Sequence, residues 1–207
     1  MDKKTLTIAV IAVIAIIGAT VRLVTSNSEG SSRGNPKPFE QLGASAAEEA
    51  AKLLNGNGQV VVVMETLEGM KNPNNEAQVK GFKAGLAKNK GVTLKEVKEI
   101  KRDMSGDPRL WPEGQAARIA SLGDGAGAVV LFFNLPQGLP PKDIAALKES
   151  KAKILMVGTQ SPMVDSLVAS GVIHVAIVGR TPPRPAPGGT ETPVQWFGRV
   201  YTVLRAQ

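Results

Sequence analysis

Hydrophobic and polar positions along this chain fall into three regimes. The first is an almost unbroken apolar run from Leu6 to Val21, preceded by Asp2-Lys3-Lys4 and followed by Arg22-Leu23-Val24. As a helix rising ~1.5 Å per residue, this run nearly crosses a hydrocarbon core of roughly 30 Å. Residues 1–24 therefore read as a membrane anchor. A cleaved signal peptide would share the basic start. Its cleavage site needs small residues, however, and Ile17-Gly18-Ala19 puts a bulky one where a small one belongs. Lys3 and Lys4 outweigh Arg22, so the positive-inside rule predicts a cytoplasmic N-terminus and a body on the far side, in a bacterium the periplasm. The expected location is the bacterial inner membrane, crossed once, with residues 6–24 in the lipid bilayer.

The second regime alternates buried runs with amphipathic ones. Residues 25–43, with Ser26-Asn27-Ser28-Glu29-Gly30 and Gly34-Asn35-Pro36, read as a flexible tether. Ala44 to Leu54 reads as a helix, acidic early and basic late, stopped by Asn55-Gly56-Asn57-Gly58. Val60 to Met64 is a continuous apolar run rich in Val, the pattern of a strand covered on both faces. Helices are predicted over 74–89, 112–122, 141–150 and 163–169. Further buried strands are predicted over 128–133, 154–157 and 172–178. Leu94 to Ile100 alternates with Lys and Glu, as a half-exposed edge strand does. Strands alternating with helices imply βαβ units. The predicted fold class is α/β: a single doubly wound, mostly parallel five-stranded sheet in the order 2-1-3-4-5, over residues 44–181.

The third regime, residues 182–207, breaks this rhythm. Pro182-Pro183-Arg184-Pro185-Ala186-Pro187 fits neither helix nor central strand. It reads as a stiff arm. Val194, Phe197, Tyr201 and Leu204 then fall at helical spacing, predicting a closing helix.

Composition changes this picture little. The formal net charge is +7, but Lys and Arg are interspersed with Asp and Glu, and aromatic residues make up only 4 % of the chain. That argues for a solvated basic surface and against a nucleic-acid partner, which needs stacking surfaces or a basic stripe. There are no cysteines, which excludes disulfides and a lipid-modified Cys.

Several segments together resemble one lobe of the type I periplasmic sugar-binding proteins, relatives of ribose-binding protein and of lactose-repressor cores. They are Ala46 to Leu54, its Gly-rich stop, the Val60–Met64 strand, and above all Asn75-Glu76-Ala77-Gln78-Val79-Lys80-Gly81-Phe82-Lys83-Ala84-Gly85-Leu86. Val157-Gly158 and Gly171 to Ala176 fit the same register. The order matches the family's second lobe. The resemblance implies ligand-binding positions at the carboxyl ends of strands, which here fall on Gln78, Asn134, Gln160 and Arg180. Gln78 stands where the family has Arg, and Asn134-Leu135 where it has Asn-Asp. The acidic partners of a sugar are thus substituted, and the chain has length for one lobe where the family closes two over its ligand.

Other chemistry is sparse. His174 is the chain's one histidine and lies in an apolar strand, so a packed role is expected. No phosphate loop and no nucleophile elbow occur. Glu65, Glu68 and Asp103 gather at the sheet's carboxyl edge, where a solvated rim is expected. Asp107 to Pro112 is a stiff loop at that edge carrying Arg109 and Trp111, residue types favoured in protein–protein contacts. Trp196, Phe197 and Tyr201 cluster beyond the arm. These five residues form the expected partner surface. The expected function is a non-enzymatic, membrane-anchored accessory subunit that docks a periplasmic lobe on an integral membrane protein complex, with no cofactor and no metal. The alternative is a periplasmic component that binds a small, sugar-like polar ligand for a transporter or sensor.

Overall fold

A computed structural model of the chain describes residues 37–66, 72–101, 107, 110–188 and 190–206. The apolar run 6–24, most of the tether, Glu68, Asp103 and Arg109 lie outside the described residues. Among those described, no helix is long and apolar enough to cross a membrane.

The sequence pattern folds into α1 (Lys37–Leu53), β1 (Gly58–Thr66), α2 (Pro73–Leu86), β2 (Val92–Lys101), α3 (Gln115–Leu122), β3 (Ala128–Phe132), α4 (Pro141–Lys148), β4 (Lys153–Thr159), α5 (Val164–Ala169), β5 (Val175–Gly179), α6 (Pro193–Val200) and β6 (Tyr201–Arg205). The helix α1 begins seven residues before Ala44 and takes in the end of the expected tether. Pro38 falls in its first turn, where a missing N–H costs nothing, and Glu40 in that turn suits the positive end of the helix.

One six-stranded sheet runs in the order β2-β1-β3-β4-β5-β6. The five predicted strands stand in the predicted order and pair in parallel. The sixth corrects the expected closing helix. That helix stops at Val200, and Tyr201–Arg205 pairs antiparallel with β5, Gly179 opposite Tyr201 and Val175 opposite Arg205. Tyr-Thr-Val-Leu favours an extended, half-covered strand. There it satisfies the backbone groups β5 would otherwise leave open. The arm therefore does not project its aromatics away from the lobe; it loops out, and the chain returns.

Alternation within each strand divides the core in two. Val60, Val62, Val130, Leu155 and Ile177 face α1 and α2. Val61, Val63, Leu131, Met156 and Ala176 face α3, α4 and α5. The C-terminal strand is clasped to α1. Arg205 Nη2 and Nε donate to Glu49 Oε2 at 2.6 and 3.1 Å, while Lys52 Nζ donates to Oε1 at 2.8 Å. Glu49 is itself buried, so these donors compensate a carboxylate withdrawn from water.

α1 and α2 meet backbone to backbone. A Cβ on Gly43 would stand 1.9 Å from the Gln78 carbonyl oxygen, and one on Gly81 would stand 1.9 Å from that of Glu40. Alanine in a helix interior normally gains about 1 kcal/mol over glycine. Gly81→Ala should reverse that sign and destabilise by about 1–3 kcal/mol, as overpacking does; chemical denaturation at fixed pH measures it. A second expectation concerns the sheet. Val62 is fully buried in central β1, so Val62→Asp should cost about 4 kcal/mol or more, a large part of a domain's roughly 5–15 kcal/mol. Lys95→Asp on exposed edge strand β2 should be close to neutral. Equal melting temperatures for these two variants would contradict the sheet order.

Candidate functional site

The sheet changes winding direction between β1 and β3. β1 leads into α2 on one face, and β3 leads into α4 on the other. At such a switch point the connections diverge and leave a crevice outside the strands' carboxyl ends. Here that crevice is a hollow of about 420 Å³, within the range of small-molecule sites.

Three elements supply its walls. The end of β1 brings Glu65, and the start of α2 brings Asn72 and Asn75. Asn72 caps α2, its Oδ1 accepting the Asn74 N–H at 3.0 Å, and Pro73 follows at the first helical position. Asn75 Nδ2 donates to the Glu65 carbonyl at 2.9 Å, holding the helix start against the strand end. The end of β3 brings Phe132, Phe133 and Asn134, and Gln137 lies just beyond them. Trp111 closes the third side, its ring 6.0 Å from that of Phe133. Lys101, Asp107 and buried Gln115 complete the polar lining. Among the described residues, no Ser, Thr, Cys or His lines the hollow.

Such a lining suits a neutral, hydroxyl-rich ligand. Side-chain amides both donate and accept, carboxylates accept and ammonium groups donate, so each hydroxyl can be met in both of its roles. Trp111 and Phe133 offer apolar faces beside them.

The sequence-predicted ligand positions separate. Asn134 lines the hollow. Gln160 and Arg180 follow β4 and β5 along the same carboxyl edge, away from the lining. Gln160 rests against Gly179. Arg180 Nε donates to the Tyr201 carbonyl at 2.9 Å and to that of Gly198 at 3.2 Å, tying α6 and β6 to the end of β5. Gln78 lies a turn down α2, beside α1, with its Oε1 buried and unpartnered. Of the expected partner surface, Trp111 belongs to the hollow. Phe197 and Tyr201 stack at 5.6 Å and pack against the α1-side core, with the Trp196 ring 5.6 Å from that of Tyr201. Asn72, Gln115 and Gln137 were not singled out from the sequence. The signal for Asn72 was present in Asn72-Pro73, a cap followed by a first-turn proline.

His174 is at the opposite, amino edge. Its Nδ1 accepts the Ile154 N–H at 3.2 Å. Burial, aided by the nearby Lys153 charge, holds its pKa below the usual histidine value. It is a structural residue and does not serve the hollow.

Known structures share this architecture. A putative LacI transcriptional regulator from Bacteroides fragilis superposes with a TM-score of 0.51 at 12% identity, over 68% of this chain and 47% of that one. This is one lobe of the type I periplasmic-binding-protein fold. The lobe is also similar to a sugar ABC transporter sugar-binding protein from Bacillus halodurans, with TM-score 0.48, 22% identity, and 68% of this chain covering 45% of that chain. An arabinose-binding protein from Geobacillus stearothermophilus gives TM-score 0.49, 20% identity, and coverage of 68% and 44%. The chain thus spans less than half the length of the proteins it resembles. No protein-family model matches the sequence, and no curated protein matches it.

The position of His174 gives a pH dependence. The unfolded chain binds a proton near pH ~6.5, which the folded lobe resists. The folded pKa being depressed, full stability is present above that pH and is lost as pH falls toward the folded value. Between pH 7.5 and 5.5 the melting temperature should fall. His174→Asn keeps an acceptor for Ile154 without a titrating ring, and should flatten that slope.

Proposed function

We propose that this lobe is a binding module for a small polyhydroxylated, sugar-like molecule. The ligand is held in the hollow between the ends of β1 and β3. The observation that carries this reading is the lining: amides and charged groups from Glu65, Asn72, Asn75 and Asn134 converge beside the Trp111–Phe133 pair at the switch point of the sheet. In this reading residues 6–24 hold the module at the outer face of a bacterial inner membrane, where it delivers its occupancy to a transporter or sensor. The apolar run and Lys3-Lys4 support that placement.

A ligand that binds only the folded state must stabilise it. At about 100 times its Kd, the expected rise in melting temperature is roughly 5–10 °C for a lobe of this size. The test is a thermal-shift panel of pentoses, hexoses and polyols on the full chain in mild detergent, repeated with Asn134→Ala. Trp196→Phe leaves Trp111 as the chain's only tryptophan, so its fluorescence should change with the same compounds. A shift that Asn134→Ala weakens is the expected result. No response to any compound would end this reading and favour a docking subunit without a ligand.

A further inference from the structure

Basic and acidic residues are interspersed along the chain, but the fold sorts them between the two ends of the strands. In the carboxyl half of the lobe, charge answers charge. Lys80 pairs with Glu40, Lys142 with Glu113 and Arg199 with Glu191, each at 2.7 Å. The amino edge differs. α2 delivers Lys88 and Lys90 to the turn before β2, and the Gly58 N–H donates to the Gly91 carbonyl at 3.0 Å, setting that turn against the start of β1. α4 delivers Lys148, and Lys151 stands in the turn before β4. These lysines are exposed and form no ion pair among the described residues.

Other cations of this edge are already engaged. Lys153 Nζ donates to the Leu53 carbonyl at the end of α1 at 3.0 Å, and Lys95 Nζ to the Asp124 carbonyl after α3 at 2.9 Å. They answer the negative ends of those helices. Arg205 is held by Glu49 at 2.6 Å. The exposed carboxylates of the edge, Glu48, Asp124 and Glu149, are outnumbered by its exposed lysines. What faces solvent is therefore lysine, with no free arginine and no aromatic ring among the described residues of the edge. Lysine is a compact, strongly hydrated charge, whereas bidentate recognition of carboxylates and phosphates uses arginine, and stacking on bases uses aromatic rings. Lysines spread over separate turns suit an extended, diffuse negative surface.

We propose that the amino edge of the lobe lies against an anionic lipid bilayer, attracted through Lys88, Lys90, Lys148 and Lys151. This rests on the reading of residues 6–24 as an anchor that keeps the lobe beside a membrane. Each lysine near an anionic surface strengthens attachment about fivefold, and the attraction acts within a Debye length of ~8 Å at physiological salt. The chain enters the lobe at Lys37, at the other end of α1, roughly 25 Å from this edge. Residues 25–36, at up to ~3.5 Å each, can reach ~40 Å. Tether length thus permits either edge to meet the bilayer, and charge selects the amino edge. The hollow at the carboxyl ends of β1 and β3 is then turned away from the lipid and stays open to its ligand.

The chain has no cysteine, so a single introduced one can carry a fluorophore. Asn57→Cys, exposed at the amino edge, and Gln160→Cys, exposed at the carboxyl edge, are each made in the full chain and labelled. The chain is reconstituted in vesicles of phosphatidylcholine alone, or mixed with phosphatidylglycerol, with nitroxide on the headgroups as quencher. The expected result is quenching of the Asn57 label in the anionic vesicles only, reversed by high salt, with the Gln160 label unquenched. Lys88→Gln, Lys90→Gln and Lys151→Gln together should weaken attachment about a hundredfold and return the Asn57 label to its neutral-vesicle level. These side chains are exposed, so circular dichroism should stay unchanged. Equal quenching at both positions, or quenching indifferent to lipid charge, overturns the proposal. Flotation of the unmodified chain with neutral vesicles reads the anchor by itself. Its failure would end the anchor reading, while the Asn57 label in anionic vesicles still decides this one. Thermal shift reads the hollow separately.

Discussion

The contact between α1 and α2 governs the rest of the lobe. Gly43 and Gly81 bring the two backbones to a separation at which no side chain fits between them. Most helix pairs are kept apart by larger residues, and interaxial distance follows from those side chains. Here Ala46, Ala47 and Ala50 complete a flat seam on α1, and the two helices cover the face of the sheet lined by Val60, Val62, Val130, Leu155 and Ile177. A wider spacing would lift α2 from the sheet and with it Asn72 and Asn75, which make one wall of the hollow. The site's geometry is therefore set by residues that have no side chain.

The chemistry of the hollow follows from topology. Parallel strands end together, and the loops that leave them must diverge where the winding reverses. Polar side chains in those loops are held by short local bonds, Asn72 to its own helix and Asn75 to the end of β1. Such groups are already ordered, so a ligand held there would cost them little freedom. The aromatic pair opposite them excludes water on one side only.

The return of the chain through α6 and β6 closes the lobe on itself. Arg180 bridges the end of β5 to Gly198 and Tyr201, Arg199 pairs with Glu191 at 2.7 Å, and Arg205 reaches Glu49 on the first helix. Three arginines thus hold α6 and β6 in place by local and long-range bonds. The Pro-rich stretch between Arg180 and Glu191 makes few such bonds. It is an exposed loop whose two ends are fixed.

Local pattern was enough to identify the central strands. Val60 to Met64 and Ala128 to Phe132 are apolar without alternation, and only a strand covered on both faces has use for that. Alternating charge marked β2 as an edge before any contact was known. A helix over 74–89 was legible from its apolar stripe, and the structure runs it from Pro73 to Leu86. The C-terminal strand was not. Val194, Phe197, Tyr201 and Leu204 satisfy helical spacing as well as they satisfy a helix that stops at Val200 and a strand that follows, and periodicity alone cannot separate the two. The open edge of β5 decided it, by offering Tyr201 to Arg205 backbone partners that a longer helix could not use. The same holds at the site. Asn134 was placed by the resemblance to a sugar-binding lobe, and the end of β3 brings it to the hollow. Gln78 was placed by motif, and Gly43 and Gly81 drew it into the seam between α1 and α2. Its neighbours in the chain fixed its helix, and only the distance to another helix fixed its surroundings.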